Sequence, residues 1–224
     1  MSCWYITVGT RVPRARQRDE MLKPMNAFER ICSEAPWCRR DVLDNTVELS
    51  LEIAREGREG RRIGTLFTIG FAQDVLERSR PLILDPLAGH PKSARHISDP
   101  NLRGTLKELA QLDGAFVLSD DGTVEAACRY LNIVTRAVEI PLGLGSRHLA
   151  AASISKETGA IAIVVSESAI VRVFHSGNIV AELIPELWLL SKYTPQLRGR
   201  VHEEHLRDVA IFTSDSPAET EGKS

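Results

Sequence analysis

The run Ala160 to Val165, AIAIVV, constrains this chain more than any other feature. It is short, carries no polar side chain and is rich in β-branched residues, so it reads as a strand covered on both faces. A strand of that kind needs layers of structure above and below it. Ile63 to Phe71, IGTLFTIGF, reads as an earlier core strand, with charge before it and Gln73 and Asp74 after it. Downstream, IVRVFH and IVAEL flank Ser176-Gly177-Asn178, two alternating runs around a tight turn, which predicts a hairpin at a sheet edge.

Helical patterns lie between these strands. Val42, Leu43, Val47, Leu49, Leu51, Ile53 and Ala54 predict an amphipathic helix from Asp41, stopped at Gly57 or Gly60. QDVLERSR gives a short helical turn, Asn101 to Leu112 a helix, and Gly114 to Leu118 a strand ending in an Asp-Gly turn. The stretch Thr123 to Leu131 is alanine-rich and reads as more helical than extended. Val138 to Pro141 reads as a short strand and Arg147 to Lys156 as a helix. The loop from LILDP to Pro100 is long for a compact domain, which marks it for function or insertion. Interleaved strands and helices give an α/β class, a mixed β-sheet flanked by helices.

The ends differ from this middle. Residues 1–40 combine Pro13, Pro24 and Pro36 with scattered arginines and no period, and are expected to form an irregular extension. Ile184 to Leu190 and Arg198 to Val209 read as terminal helices, and the polar stretch Thr213 to Ser224 is expected to be disordered.

Charge and cysteine usage exclude several functions. With 28 basic against 30 acidic side chains, the chain lacks the positive footprint that displaces counterions from a nucleic-acid backbone, so nucleic acid is disfavoured as main partner. Cys3, Cys32, Cys38 and Cys128 form no C-x-x-C pair and have no histidine at zinc spacing, which predicts free thiols in a reducing compartment. No run approaches the roughly 18 apolar residues of a membrane span, and the first residues lack a secretory pattern. A cytoplasmic location without a membrane partner is expected.

Three polar clusters fall at strand ends or helix starts: Asp113-Gly114-Ala115, Gly143 to His148, and Ser166-Glu167-Ser168. Taken singly, each has two readings. Asp113 is a turn residue or an acid. Gly143 to His148 is an ordinary glycine loop with Ser146 as N-cap, or a phosphate cradle at a helix start, where free N–H groups and a partial positive charge await an anion. His148 is a packed histidine or a ligand. A Ser/His hydrolase built on Ser146 and His148 is disfavoured, because the two lie only two residues apart and no third group is evident. Together, an acid, a Gly/Ser/Arg/His loop and a second acid are what phosphoryl or nucleotidyl transfer requires.

Several segments carry a family resemblance. LDGAF at Leu112 to Phe116, GSRHLAAASIS at Gly145 to Ser155 and AIAIVVSES at Ala160 to Ser168 resemble the diadenylate cyclase (DAC) domain in content, order and separation. GRRIGTLFTIG at Gly60 to Gly70 is similar to its opening strand, and VEAACRYL at Val124 to Leu131 to its adenine-side segment. The long link before LDGAF, the absence of a histidine before Asp113, and Arg129-Tyr130 resemble an archaeal-type branch. The likeness runs from Asp41 to Leu190 and implies a DAC domain over 41–190, with 191–224 a C-terminal helix and disordered tail.

The resemblance implies an enzyme that condenses two ATP molecules into cyclic di-AMP and two pyrophosphates, in a homo-oligomer whose active sites face each other. Asp113 would hold a divalent metal ion, Mn or Mg, and help deprotonate the ribose 3′-hydroxyl, with Gly114 and Ala115 letting nucleotide close to the backbone. Gly145, Ser146, Arg147 and His148 would hold the triphosphate, and Arg147 would stabilise the leaving pyrophosphate. Glu167 would position metal or phosphate together with Ser166. The Leu131 backbone would contact adenine. Three positions depart from the commoner pattern: Leu149 stands where many members have a second arginine, Ser168 where many have glutamate, and Cys128 where glycine is usual. A catalytically weak or silent nucleotide-binding module of the same fold is the alternative.

Overall fold

The computed structural model describes residues 27–57, 60–132, 138 and 140–185, and the backbone of 201–206 and 209–214. Seven strands form one sheet: β1 (Thr65–Ile69), β2 (Ser79–Pro81), β3 (Ala115–Leu118), β4 (Val124–Leu131), β5 (Ile161–Val165), β6 (Val171–His175) and β7 (Asn178–Leu183). Their order is β2-β4-β3-β1-β5-β6-β7. β1 and β3 are parallel and every other neighbouring pair is antiparallel. The helices are α1 (Ala27–Glu34), α2 (Arg40–Glu56), α3 (Ala72–Glu77), α4 (Pro100–Leu109) and α5 (Ser146–Thr158).

Both core strands read from the sequence are buried along their whole length. Alternate residues face opposite layers, as the pleat requires. Phe67, Ile69, Phe116, Leu118, Ile161 and Ile163 pack with Leu43, Val47, Leu51 and Ile53 of α2. Leu66, Val117, Ala162, Val164 and Phe174 pack with Ala151, Ala152 and Ile154 of α5. Phe67 and Phe116 stack across the parallel pair, with centroids 4.9 Å apart, and burying each ring contributes about 1.5–3 kcal/mol. Thr46 and Ser50 can sit inside α2's buried face because each hydroxyl donates to the carbonyl four residues back, at 2.8 and 2.7 Å.

Several expectations need correction. Of the stretch Thr123 to Leu131, Val124–Leu131 is strand rather than helix, because β2 and β3 offer hydrogen-bonding edges on both its sides, and pairing overrides alanine's helical preference. The segment expected to be irregular contains α1, and Ile31, Ala35 and Cys38 are buried in the α2-side core. Val138, Ile140 and Pro141 belong to no strand. Val201–Leu206 and Val209–Ser214 pair as an antiparallel hairpin, β8 and β9, where a helix through Val209 was expected; the run VAIFT favours extended backbone. Residues 1–26, 186–200 and 215–224 lie outside the described residues, including most of the first expected terminal helix.

The long loop packs against the rest of the fold, and Leu82 near its start lines the cleft described below. The loop buries Leu87 and Ile97. Arg95 donates to the Val124 carbonyl at 2.7 Å and His96 bridges to Thr123, which ties the loop to the start of β4.

The topology decides where chemistry can gather. β5 runs antiparallel to β1, so its end lies beside the starts of β1 and β3. α5 turns at Gly159 into β5, so its amino terminus returns to that same edge.

Candidate functional site

All three polar clusters meet at this edge. Asp113 lies two residues before β3, Ser166 and Glu167 follow β5, and Arg147 sits in the first turn of α5. Arg147 joins the acids: Nη2 donates to Asp113 Oδ1 at 3.2 Å and Nη1 to Glu167 Oε1 at 3.5 Å. The carboxylates are 75% and 71% exposed, so these pairs add about 0–1 kcal/mol each to stability and can exchange for other partners. Gly64, just before β1, gives the guanidinium room, since a Cβ there would stand 3.0 Å from Arg147 Nη1.

Arg147 and Ser146 line both lobes of one cleft. The first lobe is mainly apolar, formed by Leu66, Leu82, Ala115, Tyr130, Leu131 and Ala150, with Asp113 and Gly114 at its edge. The second, of about 400 Å³, is polar and collects Gly145, His148, Ser166, Glu167, Ser168 and Arg172. Every candidate site residue of the sequence reading therefore lies on one lobe or both. Their helix begins one residue earlier than expected: Gly145 is the N-cap and Ser146 the first helical position.

Gly114 has φ +112°, and a Cβ there would lie 2.7 Å from the Cys128 carbonyl carbon. That approach depends on a register shift between β3 and β4 that puts Cys128 at φ +54°. A left-handed conformation costs a non-glycine residue about 1–2 kcal/mol. Cys128→Val should therefore destabilise by about 1–2 kcal/mol in a urea titration, because β-branching worsens the strain. Cys128→Gly should stay within about 1 kcal/mol of the parent, relief of strain offsetting the lost thiol packing and added chain entropy.

Neighbouring side chains are held firmly. Arg129 donates to Ser79 Oγ and to the carbonyls of Leu76 and Ser79, at 3.1 to 3.3 Å. The Arg80 guanidinium lies 4.6 Å from the Tyr130 ring centroid, a cation–π contact that steadies the rim of the apolar lobe.

His148 is buried, and Arg172 Nη1 lies 3.1 Å from its Nε2. Burial, then the charges of Arg172 and Arg147, hold its pKa below the ordinary 6.5. A histidine depressed on folding binds fewer protons folded than unfolded, so its stabilising contribution is present above pH 6.5 and lost as pH falls through the folded value. Denaturant titrations across this range should show stability falling on acidification, and His148→Gln should flatten that fall. The same contact leaves Nε2 unavailable to Ser146, which removes the hydrolase reading.

No cluster of three or more His, Cys, Asp or Glu side chains suits a metal cage among the described residues. A cation that needs few protein ligands asks less of the site. Magnesium-like cations commonly use one or two carboxylates and take their remaining ligands from phosphate and water, and Asp113 offers an exposed carboxylate on the apolar lobe, bonded to the Arg147 that both lobes share.

The sequence reading missed Gly64, Leu66, Leu82, Ala150 and Arg172. Arg172 alone carried a signal, being the charged residue within the apolar alternation IVRVFH. The others become site residues only through sheet order.

Residues 52–179 match the DAC family, described as DisA bacterial checkpoint controller nucleotide-binding. A diadenylate cyclase of Methanocaldococcus jannaschii is 51% identical over 153 residues, which cover 68% of this chain and 48% of that protein. A diadenylate cyclase of Haloferax volcanii is 41% identical over 148 residues, 66% of this chain and 54% of that one. The chain thus spans about half the length of these curated archaeal relatives. Among solved structures, a double mutant of DacA from Staphylococcus aureus aligns with 66% of this chain and 90% of its own, at 22% identity and TM-score 0.44. No helix among the described residues is long and apolar enough to cross a membrane.

Proposed function

The chain belongs to the diadenylate cyclase (DAC) family, and on that premise we propose that it condenses two ATP molecules into cyclic di-AMP, in the cytoplasm, at opposed sites on two copies of itself. The unit proposed to do so is a DAC domain at residues 41–190, against which α1 packs. The observation that carries the reading is the Arg147 bridge between Asp113 and Glu167 at the junction of an apolar and a polar lobe.

The apolar lobe suits adenine, with the Leu131 backbone at its wall and Tyr130 at its rim. Gly114 and Ala115 let ribose lie against the backbone. The triphosphate enters the polar lobe, where Ser146, the first N–H groups of α5 and Arg147 meet its oxygens. Arg147 then exchanges carboxylates for phosphate, which frees Asp113 and Glu167. Asp113 is the residue that would hold a divalent cation, Mn²⁺ or Mg²⁺, with Glu167 and Ser166 positioning the phosphates around it. The bound ion supplies Lewis-acid withdrawal of charge from the phosphoryl oxygens.

In each half-reaction the 3′-oxygen of one ATP bonds to the α-phosphorus of the other. The bond from that phosphorus to the bridging oxygen breaks, pyrophosphate leaves, and Asp113 accepts the hydroxyl proton. Arg147 stabilises the charge on the departing pyrophosphate. A second, reciprocal attack closes the ring.

Incubation of the purified chain with ATP and Mn²⁺ or Mg²⁺, followed by chromatography, is expected to yield cyclic di-AMP. Because two copies make each product, specific activity should fall on dilution through the range where the assembly dissociates. ATP binding without cyclic dinucleotide under either metal would favour a silent nucleotide-binding module.

A further inference from the structure

We infer that Arg172 is a second phosphate-binding cation of the polar lobe, held there by His148 and Glu182 and directed at the polyphosphate end of the nucleotide. The inference rests on the reading of the cleft as an ATP site. Arg172 lies on β6 opposite Val164. Its neighbours Val171 and Val173 pack on the α2 side, while Arg172 shares the α5 face with Phe174 and lines the polar lobe together with Arg147.

The side chain is 12% exposed and anchored twice: Nε donates to Glu182 Oε1 at 2.5 Å, and Nη1 to His148 Nε2 at 3.1 Å. A guanidinium has five N–H donors and no acceptor. His148 Nε2 must therefore accept, which puts the ring proton on Nδ1. Nδ1 is itself sealed from solvent and has no partner among the described residues. His148 accordingly has neither ring nitrogen to offer a ligand in this arrangement, and its role is to position Arg172. The two anchors use two of Arg172's N–H groups, which leaves the rest of the fork for phosphate oxygens. Two guanidiniums, Arg147 and Arg172, then serve one cavity lined by Ser146, Ser166 and Ser168. Leu149, half-buried on α5, brings no charge to it.

The test compares the wild-type chain, Arg172→Met and Arg172→Lys by calorimetric titration with magnesium-ATP and with AMP, alongside thermal midpoints. Wild type is expected to prefer ATP. Arg172→Met should weaken ATP binding by about 10–100-fold and leave AMP affinity nearly unchanged. Arg172→Lys, which keeps the charge without the fork, should fall between. If Arg172→Met does not fold, the ATP-to-AMP affinity ratio of Arg172→Lys decides, and a clear drop is expected. An unchanged ratio, or a parallel loss of both ligands, overturns the inference. Failure of wild type to bind either nucleotide overturns the ATP reading of the cleft itself, and with it this proposal.

Discussion

Asp113→Asn should abolish cyclic di-AMP formation while leaving the protein folded. The substitution exchanges one carboxylate oxygen for an amide at nearly constant volume, on a side chain 75% exposed. Asparagine's Oδ1 can keep the bond from the Gly114 N–H, 3.0 Å in the parent, so the folding cost falls mainly on the exposed pair with Arg147, about 0–1 kcal/mol. The chemical cost is larger. An amide cannot accept the 3′-hydroxyl proton, and loss of a positioned general base costs about 10²–10⁴-fold in rate. It is also a poor substitute for a carboxylate in holding a divalent cation, so the deficit should persist at saturating ATP and be only partly relieved by added metal. An unchanged melting temperature with no product identifies a chemical role. Turnover near the wild-type rate would remove Asp113 from the mechanism.

Gly114→Val should damage folding and catalysis together. Position 114 combines φ +112° with a Cβ direction that meets the backbone of Cys128 and Arg129 at 2.7 to 2.8 Å. Backbone in a paired strand cannot step aside as a flexible side chain would. A β-branched residue has no comfortable conformation at that φ. We expect at least about 2 kcal/mol of destabilisation, seen as a melting temperature lower by about 4–8 °C for a chain of this size. Any relaxation would part β3 from β4 and shift Asp113 relative to Leu131, the two sides of the apolar lobe. Misplacement of a reacting group by about 1 Å costs on the order of 10²-fold in rate, so turnover should fall further than the folded fraction alone explains. A fully folded variant with wild-type activity would show that the close approach at Gly114 is not required.

How much of this was legible beforehand depended on whether the deciding force was local. The buried strands β1 and β5 and the β6–β7 hairpin were readable because composition and turn chemistry act within a few residues. Strand β4 was not: VEAACRYL has helical composition, and only flanking edges brought together from residues 79–81 and 115–118 make it extended. Helix α1 was hidden by the prolines around it, since its reason to exist is the burial of Ile31 against α2. At the site, Asp113, Arg147 and Glu167 could be nominated by residue type and motif. Their convergence follows from β5 running antiparallel to β1, which no local pattern encodes. Gly64 was missed for the same reason, and Arg172, though marked by its charge within IVRVFH, gains its place only through the distant segments set beside it.

The most direct measurement is a crystal structure of the protein with a non-hydrolysable ATP analogue and Mn²⁺, with the metal located by its anomalous signal. The account predicts adenine between Leu66 and Leu131, phosphates between the start of α5 and Arg172, Arg147 turned from the carboxylates to the phosphates, and manganese at the Asp113 carboxylate. Nucleotide bound elsewhere, or in this cleft with Arg147 still bridging Asp113 and Glu167 and no metal at Asp113, would contradict it.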